Sequence, residues 1–192
     1  MSDFPLVLSL DVAGNPHKWI TVEDACYYYA KDLIAWQMGE DDSLLRGGIQ
    51  RITGLQSKLD INSIIAVKGM TISKIKGYKV PPLTNKALFR RDHNICAYCG
   101  HEFPTSKLTR DHIHARSRGG PDRWENVVTS CGPCNKVKDN KTLKEFGNPL
   151  MYVPYAPNRS EFLILMNRNI RADQMEFLKK KCPQHSRVHG TK

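Results

Sequence analysis

Four of the six cysteines form two C-x-x-C pairs, Cys96/Cys99 and Cys131/Cys134, separated by thirty-one residues. Together they offer four thiolates, the ligand set of a closed tetrahedral zinc site, in which each tight knuckle brings two sulfurs to one ion. With every position on the ion taken by sulfur, such a site holds structure and leaves no place for substrate or water. Chemistry therefore has to come from between the pairs or just after them. There the segment TRDHIHARSRGG, Thr109 to Gly120, concentrates Asp111, His112, His114 and the arginines Arg110, Arg116 and Arg118. Taken alone, an Asp–His pair is more often a surface or capping pair than a catalytic one, and Asn126 or Asn135 taken singly fits a turn.

The elements that must position these residues are short. Leu108 to Ile113 is apolar enough for a strand, which would put Asp111 and His112 on opposite faces or at a strand end beside the Arg/Gly-rich loop. WENVVTSC reads as a second strand running into the second knuckle, and CNKVKDN as the start of a helix. Ahead of Cys96, NKALFRRD reads as a short helix capped by Thr84 or Asn85. The expected unit is strand, loop, strand, helix, pinned by four cysteines.

On these residues the segment Cys96 to Asn140 resembles an HNH endonuclease domain of the zinc-containing ββα-metal class. The resemblance rests on CAYCG at the first knuckle, DHIHARSRGG at the first strand and loop, WENVVTSC with Asn126 in the middle position, and CGPCNKVK with Asn135 in the third. It covers about a quarter of the chain tightly. Asn135 stands where many members have histidine, which makes the chain an H-N-N variant, and Ala115 stands where the family often has proline.

The resemblance implies a division of roles. Asp111 and Asn135 would bind one catalytic divalent ion, Mg²⁺ or Mn²⁺, since an amide oxygen still serves a hard cation. His112 would be the general base for the attacking water, a task suited to an imidazole with an unperturbed pKa of about 6.5. Asn126 would fix the orientation and tautomer of His112 through a backbone-mediated or loop contact. Cys96, Cys99, Cys131 and Cys134 would hold the structural zinc. Arg110, Arg116, Arg118, Arg123, Lys136 and Lys138 would grip phosphates, with Lys141 extending that surface and Gly119 and Gly120 letting backbone approach the strand. Hydrolysis would leave 5′-phosphate and 3′-hydroxyl ends on DNA, with structured RNA open as another substrate. The competing reading is a non-catalytic zinc-ribbon module that only binds nucleic acid.

Charge points the same way. The net charge is +10 at pH 7, and residues 1–80 hold nine Lys/Arg against nine Asp/Glu, so the whole excess lies beyond them. A basic half favours a polyanionic partner, because phosphate contacts release condensed counterions. No run of eighteen apolar residues exists, and MSDFPLVLSLD lacks the basic start and cleavage site of a secretory signal. The expectation is a cytoplasmic protein without membrane partners, a monomer or a homodimer.

The rest of the chain reads as support, giving an α+β protein in three parts: an N-terminal α+β region over 1–82, the ββα-metal nuclease domain over 83–147, and a C-terminal extension over 148–192. Pro5 to Gly14 reads as a strand and turn, and Thr21 as the cap of a helix whose apolar stripe runs through Val22, Ala25, Cys26, Tyr29, Leu33 and Trp36. The Tyr27–Tyr29 run reads as packing. DINSIIAVKG and KGYKVPPL read as short strands, and ADQMEFLKKKC as a last helix. Cys182 has His185 nearby but no second pair to complete a site.

Overall fold

The sheet of the first unit begins with VLSL, an apolar run short enough to be a strand buried on both faces. It forms β1 (Val7–Leu10), and all four residues are buried. A computed structural model describes residues 6–39, 43–69 and 80–190. The chain divides into one unit of residues 1–79 with 159–182 and another of 80–158 with 183–192. The stretch 148–192, read from the sequence as one extension, is thus shared between the two.

In the first unit β2 (Pro16–Ile20) pairs antiparallel with β1 after the turn at Gly14. Helix α1 (Val22–Ala30) follows, its N-terminus capped by the Thr21 hydroxyl, which accepts from the Asp24 N–H. The predicted helical stripe ran too far: Lys31 caps the helix and Asp32 takes a left-handed φ of 52°. Leu33 therefore lies beyond the helix, and Trp36 sits in a strand, β3 (Ile34–Met38). A two-stranded ribbon, β4 (Ser43–Ile49) with β5 (Gln56–Ile61), precedes β6 (Ile64–Val67). The main sheet has the order β2-β1-β6-β3, with β1 and β6 parallel and the outer pairs antiparallel. Of the strand expected around KGYKVPPL, residues 76–79 lie outside the described residues and residues 80–83 form no strand.

Period-two alternation sorts the two central strands onto two cores. Val7, Ile65 and Val67 pack with Val22 and Ala25 of α1, while Leu8, Leu10, Ile64 and Ala66 pack with Leu163 and Leu178. Those last two residues belong to helices from the C-terminal part of the chain.

The second unit opens with α2 (Asn85–Arg91), capped by the Thr84 hydroxyl. Strand β7 (Leu108–His112) pairs antiparallel with β8 (Val127–Cys131), with Asp111 opposite Val128 and His112 opposite Val127. Helix α3 (Gly132–Lys138) starts directly from Cys131 with proline in its first turn. It ends at Asp139, which adopts φ 50°, and a separate short helix, α4 (Leu143–Phe146), follows. Arg91, fully buried, locks α2 to the strand layer: it pairs with Asp92 at 2.8 Å and donates to the carbonyls of Trp124 and Val127. The Asp92 carboxylate in turn accepts from the Thr129 N–H and hydroxyl.

Back in the first unit, α5 (Arg159–Met166) and α6 (Ala172–Lys180) supply Leu163 and Leu178 to the sheet. Among the described residues no helix is long and apolar enough to cross a membrane.

Candidate functional site

The two knuckles converge. The sulfurs of Cys96, Cys99, Cys131 and Cys134 all lie within 4.8 Å of one another, Cys96 and Cys131 buried and the other two half-buried. A tetrahedral ion with bonds of about 2.3 Å would space them by roughly 3.8 Å, so the set fits zinc. Burial resists charge on Cys96, but N–H groups of Cys131, Cys99 and Tyr98 aimed at its sulfur hold its thiol down at about 7. That is the thiolate character a metal ligand needs, whereas burial raises the thiols of Cys99 and Cys134, which would lose their protons to the ion itself. In the first knuckle the Gly100 N–H donates to the Cys96 carbonyl with a left-handed φ of 72°, a conformation that glycine adopts freely. The cluster is continuous with the apolar core of the unit, packed with Ala97, Tyr98 and Val128.

Because side chains alternate along β7, Asp111 leaves one face and Arg110 and His112 the other. Asp111 is buried and accepts a short hydrogen bond from the Tyr98 hydroxyl. Burial and this carboxylate push the Tyr98 hydroxyl far above the usual phenol range. Asp111 also meets Lys138, whose Nζ lies 3.1 Å from Oδ2 and 3.3 Å from Oδ1 and donates to the His112 carbonyl at 2.8 Å. Lys138 was expected on the phosphate-binding surface. It is instead fully buried at the end of α3, because a carboxylate and a carbonyl inside the unit satisfy its ammonium.

On the other face, His112 Nε2 lies 2.8 Å from Asp122 Oδ1. Arg110 donates to both oxygens of Asp122, at 3.0 and 3.2 Å, to Asn85 Oδ1 at 2.9 Å and to the Leu83 carbonyl. Arg110 lines the same cleft as His112 with its guanidinium bracing Asp122 and the α2 lead-in, so a grip on phosphate would have to compete with these contacts. The hydrogen bond with His112, then the Arg110 contacts, hold the Asp122 carboxyl below the usual range.

Asn126 does not touch His112. Its Oδ1 accepts from the His114 N–H, and its Nδ2 donates to the carbonyls of His114 and Pro121. These bonds clamp both ends of the loop that follows β7, and a backbone bond from the Ile113 N–H to the Asn126 carbonyl adds a fourth tie. The loop explains its own glycines. A Cβ on Gly120 would sit 1.8 Å from the His114 carbonyl oxygen, and Gly119 closes a turn at φ 87°. The glycine pair thus serves close packing within the loop, and Gly120 is buried rather than offered to a ligand.

Asn135 donates through Nδ2 to Thr109 Oγ1 at 2.9 Å, leaving its amide oxygen as acceptor. Asp111, His112 and Asn135 line one open cleft of about 300 Å³, with Asp139 on its border. A carboxylate has about four lone-pair sites, and Tyr98 and Lys138 take three on Asp111, so one oxygen bond to a cation remains. The donors are all oxygen, which fits a hard divalent ion that keeps most of its waters. Lys138 makes them a weak holder, since its ammonium already neutralises Asp111.

Arg116, Arg118, Arg123 and Lys136 are exposed; Arg116 lines this cleft, and Lys136 with Asn135 lines the depression beside it. Arg118 pairs with Glu145 at 3.0 Å on the surface, a contact phosphate could displace at little cost. Tyr98 and Asp122 were not singled out for the site from the sequence, and Lys138 was singled out only as a phosphate contact, not as the partner of Asp111. Lys138 had a signal, lying three residues after Asn135 and so on the same side of a helix, whereas nothing in the sequence ties Asp122 to His112.

The family model for HNH endonuclease matches residues 96–151, which span both knuckles, β7, β8, α3 and α4. No curated protein matches the chain.

Proposed function

We propose that this chain, whose residues 96–151 match the HNH endonuclease family model, is a ββα-metal nuclease that hydrolyses phosphodiester bonds in DNA and leaves 5′-phosphate and 3′-hydroxyl ends. The match to that family model supports a nuclease with a nucleic-acid substrate. The observation that carries the finer reading is the meeting of Asp111, His112 and Asn135 on one open cleft. An imidazole for a proton and two oxygen donors for a cation then face the same space.

In this reading His112 takes the proton of the attacking water through the ring nitrogen that Asp122 does not engage. Asn126 keeps the loop beyond β7 closed, so the His112 backbone is held from both sides. Asp111 and Asn135 would hold Mg²⁺ or Mn²⁺, which supplies Lewis-acid stabilisation of the charge developing on phosphate and leaving oxygen. Arg116, Arg123 and Lys136 position the phosphate backbone and give affinity without sequence choice. The four cysteines hold a structural zinc.

A second reading, a zinc ribbon that binds nucleic acid without cutting it, is favoured by one observation: Lys138 already neutralises Asp111. Supercoiled plasmid and a structured RNA, each incubated with Mg²⁺, Mn²⁺ or a chelator, separate the two. Metal-dependent scission of plasmid with ligatable ends supports the nuclease. Salt-sensitive binding without scission under any metal supports the ribbon.

A further inference from the structure

Asp122 lies ten residues beyond His112, across the loop, and the family resemblance gives it no role. Its Oδ1 is nevertheless 2.8 Å from His112 Nε2. An ionised carboxylate only accepts hydrogen bonds, and the contacts with His112 and Arg110 keep Asp122 ionised at neutral pH. The shared proton therefore sits on Nε2, and a neutral His112 is left with its lone pair on Nδ1. Asp122 is itself held in place. Arg110 grips both its oxygens while anchored on Asn85 and on the Leu83 carbonyl. A relay of fixed contacts thus runs from the lead-in of α2, through β7, to the imidazole.

From this geometry we infer that Asp122 is the positioning carboxylate of His112, locking its ring orientation and its tautomer so that Nδ1 receives the proton of the attacking water. The inference rests on the reading of His112 as the base. The proton taken from water arrives on Nδ1, and the ionised Asp122 faces the resulting imidazolium at Nε2 without itself gaining a proton. Asn126 acts differently, since its side chain bonds only loop backbone. Asp122 is half-exposed, so its loss should leave the melting temperature unchanged.

The test uses the full zinc-loaded chain with ¹⁵N-labelled histidine, the His112 signals being assigned by their absence from His112→Gln. In the wild type, His112 should show a protected Nε2–H that disappears in Asp122→Ala and persists in Asp122→Asn, whose amide oxygen still accepts. Plasmid cleavage by Asp122→Ala should lose about 10- to 100-fold in kcat with KM little changed, and Asp122→Asn should fall between. Two results overturn this inference alone in a wild type that cuts: Asp122→Ala cutting equally fast, or an unchanged His112 spectrum. A wild type that cuts nothing overturns the reading beneath it.

Discussion

Lys138 and Asp111 form a buried ion pair, with the ammonium 3.1 Å from Oδ2 and the two side chains 0% and 7% exposed. The same ammonium donates to the His112 carbonyl, so one cation staples the end of α3 to two successive residues of β7. Burying two charges costs several kcal/mol in desolvation, which mutual attraction offsets only when the geometry is good and remaining donors are satisfied. Here the Tyr98 hydroxyl and the His112 carbonyl supply those extra bonds.

Removing one partner should be far worse than removing both. Lys138→Met leaves the Asp111 carboxylate buried without its cation and should destabilise the second unit by about 3–5 kcal/mol. Lys138→Met combined with Asp111→Asn should recover a large part of that loss. Urea unfolding of the two variants checks this, and additive losses would contradict the pairing.

Zinc should hold this unit together, because β8 ends and α3 begins at a cysteine of the cluster. Cys99→Ser should therefore lower zinc content and melting temperature together, and chelation of the wild type should do the same. Asn135→Ala, which strands no buried charge, should keep its zinc and melting temperature while losing plasmid cleavage. Metal analysis alongside thermal melts separates the two effects, and full stability of the metal-free chain would refute the structural role.

The sequence made the second unit legible because its constraints are local: knuckle spacing, a capping threonine at Thr84, and a strand too short to be anything else. It said less about side-chain partners. Lys138 and Arg110 looked like surface cations, since sequence carries no sign that a carboxylate will meet them across the fold. Propensity also misled at α1, where Leu33 and Trp36 continue the helical period although Asp32 turns the chain out of the helix. Helix α5 gave no clear signal at all: SEFLILM is buried over most of its surface, so it lacks the polar stripe by which helices are recognised.

The first unit should lose stability in acid through His17. Burial first, then the nearby cations Lys18 and Arg159, lower its pKa below 6.5, and its Nδ1 is buried with no partner among the described residues. The unfolded chain binds that proton more readily, so the contribution is complete above about pH 6.5 and lost as pH falls toward the lowered folded value. His17→Gln should flatten the stability profile between pH 5 and 7, as read by denaturant midpoints. An unchanged slope would mean that His17 does not titrate as its surroundings dictate.

The central claim is that His112, beside a cleft lined by Asp111 and Asn135, is the base of a metal-dependent nuclease. Cleavage of supercoiled plasmid in Mg²⁺ or Mn²⁺ by the wild type and by His112→Ala measures it directly. General-base catalysis is worth about 10²- to 10⁴-fold, so His112→Ala should fall by that factor while zinc content and melting temperature hold. Equal cutting by the two proteins would contradict the account.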